Sequence, residues 1–441
     1  MDWTIKRIHL LILLVVVTAV LAACGGGGDE SAEEAPAATE PSSAPEADES
    51  YAAGSEYISG QVPPPPDEGA KVETERETSA EGEAIADTGL RADSEPAANS
   101  RLTAGEVDDN AQWDDYLLYL RDYSGASVIR VDVSERHQIL VQDSQQRPIL
   151  GATVAISANN QRLTTLRTFS NGRATFHPHA YTTTGNGYTL TITVNDAVET
   201  LTIPADTLQR EWVVTHHGGD QLPSTNFLDV LFLLDATGSM SDEINQLKEN
   251  IHTIAAQIEA LPAQPSVRFG LVIYRDQGDA FLTQVSDFTP DVNAFAEVLA
   301  QVQAEGGGDY PEDLNTALTQ AIHNVEWRVE NTVSLIFLVA DAPPHLDYGQ
   351  EDDYAVAMRD AAERGIKIYP IASSGLDEQG EYVLRQLAQF TNGRFLFLTY
   401  GESGPGTTGT QTDLNVSDYT VSALDQLVVN IVTEELAFLV R

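Results

Sequence analysis

Cysteine is almost missing from this chain of 441 residues: there is one, Cys24. An intramolecular disulfide is therefore excluded, and stability has to come from buried cores. Basic residues are scarce, 24 Lys and Arg against 67 Asp and Glu, a formal net charge of −43. That balance excludes nucleic acid as a partner, because phosphates would be repelled and no Lys/Arg cluster offsets the repulsion. Long apolar runs are lacking too. The run at residues 10–20 is too short to span a bilayer comfortably. The sequence has no Gly-x-Ser-x-Gly elbow, no His-Glu-x-x-His and no Walker loop, so the common sequence supports for hydrolase or nucleotide chemistry are absent. The apolar fraction, 42%, is that of a globular protein, and the length allows two or three domains.

Lys6 and Arg7 precede the apolar run, which ends in Leu21-Ala22-Ala23-Cys24. This segment resembles a bacterial lipoprotein signal. The resemblance implies a signal peptide over residues 1–24, cleavage before Cys24 and a diacylglycerol on its thiol. More than one acyl chain would make the attachment stable. The mature chain is then expected to be extracytoplasmic and lipid-anchored, to the cell membrane or outer membrane. Gly25 rather than Asp after the cysteine favours the outer one where there are two. Residues 25–110 are acidic and of low complexity, with a stiff insert at Pro63-Pro64-Pro65-Pro66. Large apolar side chains are too sparse there to offset ordering entropy, so a disordered, extended stalk is expected.

Residues 111–123 predict a short helix, with Trp113, Tyr116, Leu117 and Leu120 on one face. Between residues 128 and 215 the period switches to two. Eight short strands are expected, beginning with Val128-Ile129-Arg130-Val131-Asp132-Val133, with turns at Asn-Gly and Gly-Asn-Gly. That pattern predicts a small antiparallel sandwich. Asp143, Pro148, Gly151, Ala152, Val154, Thr168, Asn171, Gly172 and Phe176 resemble the carboxypeptidase regulatory-like, transthyretin-like sandwiches, which implies a fold over residues 111–217 and no activity. His177, His179, His216 and His217 are read as surface residues of that sandwich.

From residue 226 to 441 strands alternate with helices. The strands, such as Phe227-Leu228-Asp229-Val230-Leu231-Phe232-Leu233-Leu234, are almost wholly apolar, as parallel strands buried on both faces are. The expectation is an α/β, doubly wound Rossmann-like domain with a mainly parallel sheet and one antiparallel hairpin. Ligands in such folds sit beyond the carboxyl ends of the strands. Three polar clusters fall there: Asp235-Ala-Thr237-Gly-Ser239, then Gly306-Gly-Gly-Asp309-Tyr-Pro-Glu312-Asp313, then Asp341. Oxygen-only ligands suit Mg2+, or Mn2+ or Ca2+. A plainer reading makes Asp235 a turn residue and Ser239 or Ser241 a helix cap.

These clusters resemble the metal-ion-dependent adhesion site (MIDAS) of the von Willebrand factor type A domain. Asp235, Thr237 and Ser239 match its first motif, with Thr for the first Ser, and Asp341 matches its third. The resemblance implies a divalent ion and an open coordination position that an acidic residue of a protein partner can fill. The second motif departs from the pattern, because Asp309 stands where a Thr is expected. Three carboxylates at Asp235, Asp309 and Asp341 would leave the site at −1 and weaken an acidic partner's attraction. Glu312, Asp313 and Thr316 are alternative occupants. Asp276, in Tyr274-Arg275-Asp276, is expected behind the ligands or paired with Arg275, and His345 is read as a loop residue. The function expected is membrane-anchored protein binding or adhesion with no catalytic residue; the competing expectation is an envelope-organising lipoprotein whose metal only stabilises the domain.

Overall fold

A computed structural model of the chain describes residues 102–181, 187–221, 227–402, 408–416 and 419–439. The signal segment, Cys24 and most of the acidic segment lie outside the described residues. The chain enters through strand β1 (Thr103–Val107) and helix α1 (Trp113–Asp122). Strands β2 (His137–Gln142), β3 (Thr153–Ala158), β4 (Gln161–Arg167), β5 (Arg173–Phe176), β6 (Tyr188–Val194), β7 (Ala197–Ile203) and β8 (Glu211–Thr215) follow. The second half runs β9 (Phe227–Asp235), α2 (Ser241–Glu259), β10 (Ser266–Tyr274), β11 (Thr283–Thr289), α3 (Val292–Ala300) and α4 (Leu314–His323). It continues with β12 (Thr332–Ala340), α5 (Tyr354–Arg364), β13 (Ile366–Ala372), α6 (Glu378–Phe390), β14 (Phe395–Thr399), β15 (Thr420–Ala423) and α7 (Leu424–Ala437).

The large sheet has the order β11-β10-β9-β12-β13-β14-β1-β15. Its centre is parallel, and β11 pairs antiparallel to β10 as the sequence predicts. Side-chain alternation along β9 divides the interior. Leu228, Val230, Phe232 and Leu234 share a core with Ile244 and Ile251 of α2, Phe295 of α3 and Ile431 of α7. Leu231 and Leu233 belong to the other core, with α4, α5 and α6. Helices on both faces explain why β9, β12 and β13 are buried nearly throughout. Asp229, inside β9, is fully buried and held by Arg268 at 2.7 Å and by Arg328 at 2.5 Å.

One expectation about boundaries fails. Residues 102–110, assigned above to the linker, include β1, which lies antiparallel between β14 and β15. Its sequence, Thr-Ala-Gly-Glu-Val, has neither a large apolar residue before Val107 nor a clean alternation. The glycine has a reason: a Cβ on Gly105 would come 2.5 Å from the Phe397 ring. Near the C-terminus, Thr420–Ala423 forms β15 beside β1, and α7 begins directly after it at Leu424.

The strands between β1 and β9 form two small sheets, β5-β2-β8 and β4-β3-β6-β7. Ile139, Val141, Val154, Ile156, Leu190 and Ile192 are buried in one shared core. The expected all-antiparallel pattern is broken, because β2 and β8 pair in parallel. Residues 128–133 form no strand. The Tyr354 hydroxyl instead accepts from the Ile129 N–H at 2.7 Å and donates to its carbonyl at 2.9 Å, so those groups need no sheet partner. Both small sheets sit on the α/β core in one compact unit. Thr164 donates to Glu363 of α5 at 2.6 Å, and Ser170 donates to Glu435 of α7. Glu435 also pairs with Lys367 at 2.6 Å and accepts from Tyr369 at 2.8 Å, all buried.

Candidate metal centre

The carboxyl end of β9 delivers Asp235 next to Tyr274 of β10, its register partner. Asp235 is fully buried. Its Oδ1 accepts from the Thr237 N–H at 2.9 Å and from the Thr237 hydroxyl at 2.6 Å. Its Oδ2 finds no hydrogen-bond partner. The Tyr274 hydroxyl lies beside it without a bond of good geometry. Burial first, and the nearby Asp341 charge second, push the Asp235 carboxyl up to about 7. Such a group is a charge waiting for a cation, since a buried carboxylate without a counter-charge is costly.

The turn after Asp235 is tied to the glycine loop. Gly238 N–H donates to the Gly306 carbonyl at 3.3 Å, and Glu305 N–H to the Ala236 carbonyl at 3.0 Å. Gly306 and Gly307 both have positive φ, +85° and +82°. A Cβ on Gly307 would meet Glu312 Oε1 at 3.1 Å and the Thr237 Cβ at 3.2 Å. The loop therefore passes close over the turn only because it is glycine. Arg275 braces it from below, donating to the Ala236 and Gln303 carbonyls at 3.1 and 2.9 Å. The expected Arg275–Asp276 pair does not form; Arg275 spends its donors on main-chain carbonyls instead.

Glu312, not Asp309, is the carboxylate this loop sets beside Asp235. Glu312 is buried with its Oε2 unpartnered. Its backbone is zipped to the segment after β12: Glu312 N–H donates to the Pro343 carbonyl and His345 N–H to the Glu312 carbonyl, at 3.0 and 3.1 Å. Burial, then the charges of Asp235, Asp276, Asp279 and Asp341, raise Glu312 to about 9. Asp341 is raised by burial, partly offset by the Ser239 hydroxyl beside it. Asp235, Thr237, Ser239, Glu312 and Asp341 thus converge around one turn.

The other sequence candidates fall elsewhere. Asp313 caps α4, accepting from Thr316 N–H at 3.1 Å, and Gln350 donates to Asp313 at 2.6 Å and to the Thr316 hydroxyl at 2.9 Å. Ser241 caps nothing; it is the first helical residue of α2, exposed, with φ −62° and ψ −37°. Asp309 has a side chain 64% exposed, at the rim, near Asp276 and His345. These three form an Asp-Asp-His group whose ligand atoms all lie within 4.8 Å of one another, a possible site for a divalent ion. The sequence reading took His345 as a loop residue; the structure brings it to Asp276 and Asp309. Two histidines expected on a surface are buried. His177 stacks on Trp113, and burial lowers it to about 3, while His216 accepts from the Gly218 N–H at 3.1 Å.

Residues 229–398 match the family model of the von Willebrand factor A domain. The chain is 27% identical over 188 residues to an ariadne-like RING finger protein of Acanthamoeba polyphaga mimivirus, covering 39% of this chain and 18% of that protein. It is 30% identical over 120 residues to an alpha-protein kinase of Dictyostelium discoideum, covering 27% and 19%. It is 37% identical over 113 residues to von Willebrand factor A domain-containing protein 7 of Rattus norvegicus, covering 26% and 12%. The chain spans less than a fifth of the length of these relatives. Strands β1 and β15 lie outside the matched residues although they belong to the same sheet. A von Willebrand factor A domain in the second half of the chain is supported by the family model and by relatives that contain one.

Proposed function

We propose that the chain is a divalent-cation-dependent protein-binding module, lipid-anchored at Cys24 on the extracytoplasmic side of a membrane. The observation that carries the metal is the pair of orphaned oxygens, Asp235 Oδ2 and Glu312 Oε2, buried beside Asp341. Hard oxygen donors of this kind fit Mg2+, Mn2+ or Ca2+. Thr237 and Ser239 would supply hydroxyls, and Asp235, Glu312 and Asp341 would supply carboxylates to the ion or to its waters. An ion there would act as a Lewis-acidic docking point. The residues of this chain do the rest: they exclude water on the buried side, and the exposed Ser239 edge leaves one side open.

Von Willebrand factor A domains suggest protein–protein interaction, while a kinase and a RING finger protein among the relatives leave enzymatic activity open. A second reading has its own support. Glu312 is a third carboxylate, so a divalent ion leaves the site at −1 rather than neutral, which weakens attraction for an acidic partner residue. In that reading the ion only braces the turn. The separating experiment is to immobilise the full chain with Mg2+, and to compare proteins retained with Mg2+ and eluted by EDTA for wild type and Asp235→Asn. Partners released by EDTA from wild type alone support binding. Identical retention by both proteins refutes it.

A further inference from the structure

Beside the hydroxyl-lined turn lies a group that the reading above does not use. Asp276 is 4% exposed and His345 6% exposed, with Asp309 at the solvent rim. His345 Nδ1 lies 2.7 Å from Asp347 Oδ1. A carboxylate only accepts, so the proton of the neutral ring sits on Nδ1 and the lone pair on Nε2. That Nε2 is buried and has no hydrogen-bond partner. It faces Asp276 Oδ2 and Asp309 Oδ2, each at 3.7 Å.

A lone pair aimed at two carboxylate oxygens is repulsive unless something positive lies between them. An imidazolium would donate Nε2–H, yet 3.7 Å is beyond hydrogen-bond reach for either oxygen. The separation instead suits a shared ion: ligands about 2.1 Å from a tetrahedral centre stand roughly 3.4 Å apart. Charge agrees as well, since two carboxylates and a neutral imidazole cancel a divalent cation. The supports behind the ligands are also in place. Asp347 holds the histidine's far nitrogen, as carboxylates do behind metal-bound imidazoles. The Tyr348 ring stacks on His345 at 3.9 Å and 10°, and its hydroxyl donates to Asp276 Oδ2 at 2.7 Å.

We propose that Asp276, Asp309 and His345 form a second cation site, distinct from the Asp235 turn and selective for an imidazole-preferring ion of the Zn2+ or Co2+ class. Mg2+ and Ca2+ favour all-oxygen shells, and the single imidazole discriminates against them. Three protein ligands leave a coordination position, and Asp309 opens the site to solvent on that side. Glu312 feels the charges of both Asp235 and Asp276.

The test uses chelator-stripped full chain in excess Mg2+, titrated with Co2+ and followed by visible absorption. One equivalent of Co2+ giving a ligand-field band is expected. His345→Gln and Asp309→Asn abolish the band yet keep the Mg2+-dependent rise in Tm; the exposed Asp309 makes the second variant safe for folding. Asp347→Asn weakens Co2+ by roughly 10–100-fold. Asp235→Asn keeps the band while losing the response to Mg2+, which separates failure of this site from failure of the first. No band in wild type, a band surviving in both His345→Gln and Asp309→Asn, or its loss in Asp235→Asn overturns the proposal.

Discussion

Replacing Asp235 by Asn should have opposite effects on the metal-free and metal-bound protein. In the metal-free fold Asp235 is raised to about 7 from 3.8 by burial and by Asp341. A folded-state value above the unfolded one means the native state holds its proton more tightly. The stability this contributes is complete below about pH 4 and is lost as pH rises towards 7. Above that, the charged carboxylate costs the fold on the order of 4 kcal/mol. Asn keeps the Oδ1 that accepts from Thr237 and cannot ionise. Its own buried N–H costs about 1–3 kcal/mol if unpaired. The net gain at pH 8 without metal is about 2 kcal/mol, a rise in Tm of roughly 4–8 °C at the usual 2–4 °C per kcal/mol. At pH 4 the wild type is protonated, the gain vanishes, and the variant equals the wild type or falls slightly below it. With Mg2+ at 100 times Kd the wild type gains about 2.7 kcal/mol, and the variant nothing. The assay is calorimetric melting at pH 4 and 8, with EDTA and with Mg2+. A variant less stable than wild type at pH 8 in EDTA, or one that Mg2+ still stabilises, would refute this reasoning.

Three further outcomes are expected. Gly307→Ala puts a Cβ 3.1 Å from Glu312 Oε1 at a φ of +82°; it should cost about 1–2 kcal/mol of stability in urea unfolding and weaken Mg2+ in calorimetry. Glu435→Ala strands Lys367 in the interior and removes the Ser170 bond. Its urea midpoint should fall by the equivalent of about 3–5 kcal/mol, and unchanged unfolding would argue against the buried pair. Gly105→Val forces side-chain atoms into the Phe397 ring and should destabilise by about 1–3 kcal/mol; wild-type stability would mean that β1 is not in the sheet.

The second half was legible because its chemistry is periodic. Buried parallel strands are apolar without interruption, and β9, β12 and β13 announce themselves for that reason. Strands β1 and β15 did not, since Thr-Ala-Gly-Glu-Val and Thr-Val-Ser-Ala owe their place to neighbours rather than to their own pattern. Asp235 and Asp341 could be placed on one face from the sequence because they stand at the carboxyl ends of β9 and β12. The glycine loop could not. Asp309 and Glu312 are three residues apart, and only the close pass over Thr237 and the backbone zipper to Pro343 decide which one is buried. Likewise, Asp347 and Tyr348, not His345 itself, make that histidine more than a loop residue.

The most direct measurement is calorimetric titration of the chelator-stripped full chain with Mg2+ at pH 7, in buffers of different ionisation enthalpy. Asp235 and Glu312, raised to about 7 and about 9, carry protons in the metal-free protein that a bound ion must expel. The predicted result is saturable binding with about one to two protons released, a release that falls as pH rises towards 9. Saturable binding without proton release would contradict the assignment of the ion to these carboxylates, and absence of binding would contradict the metal centre itself.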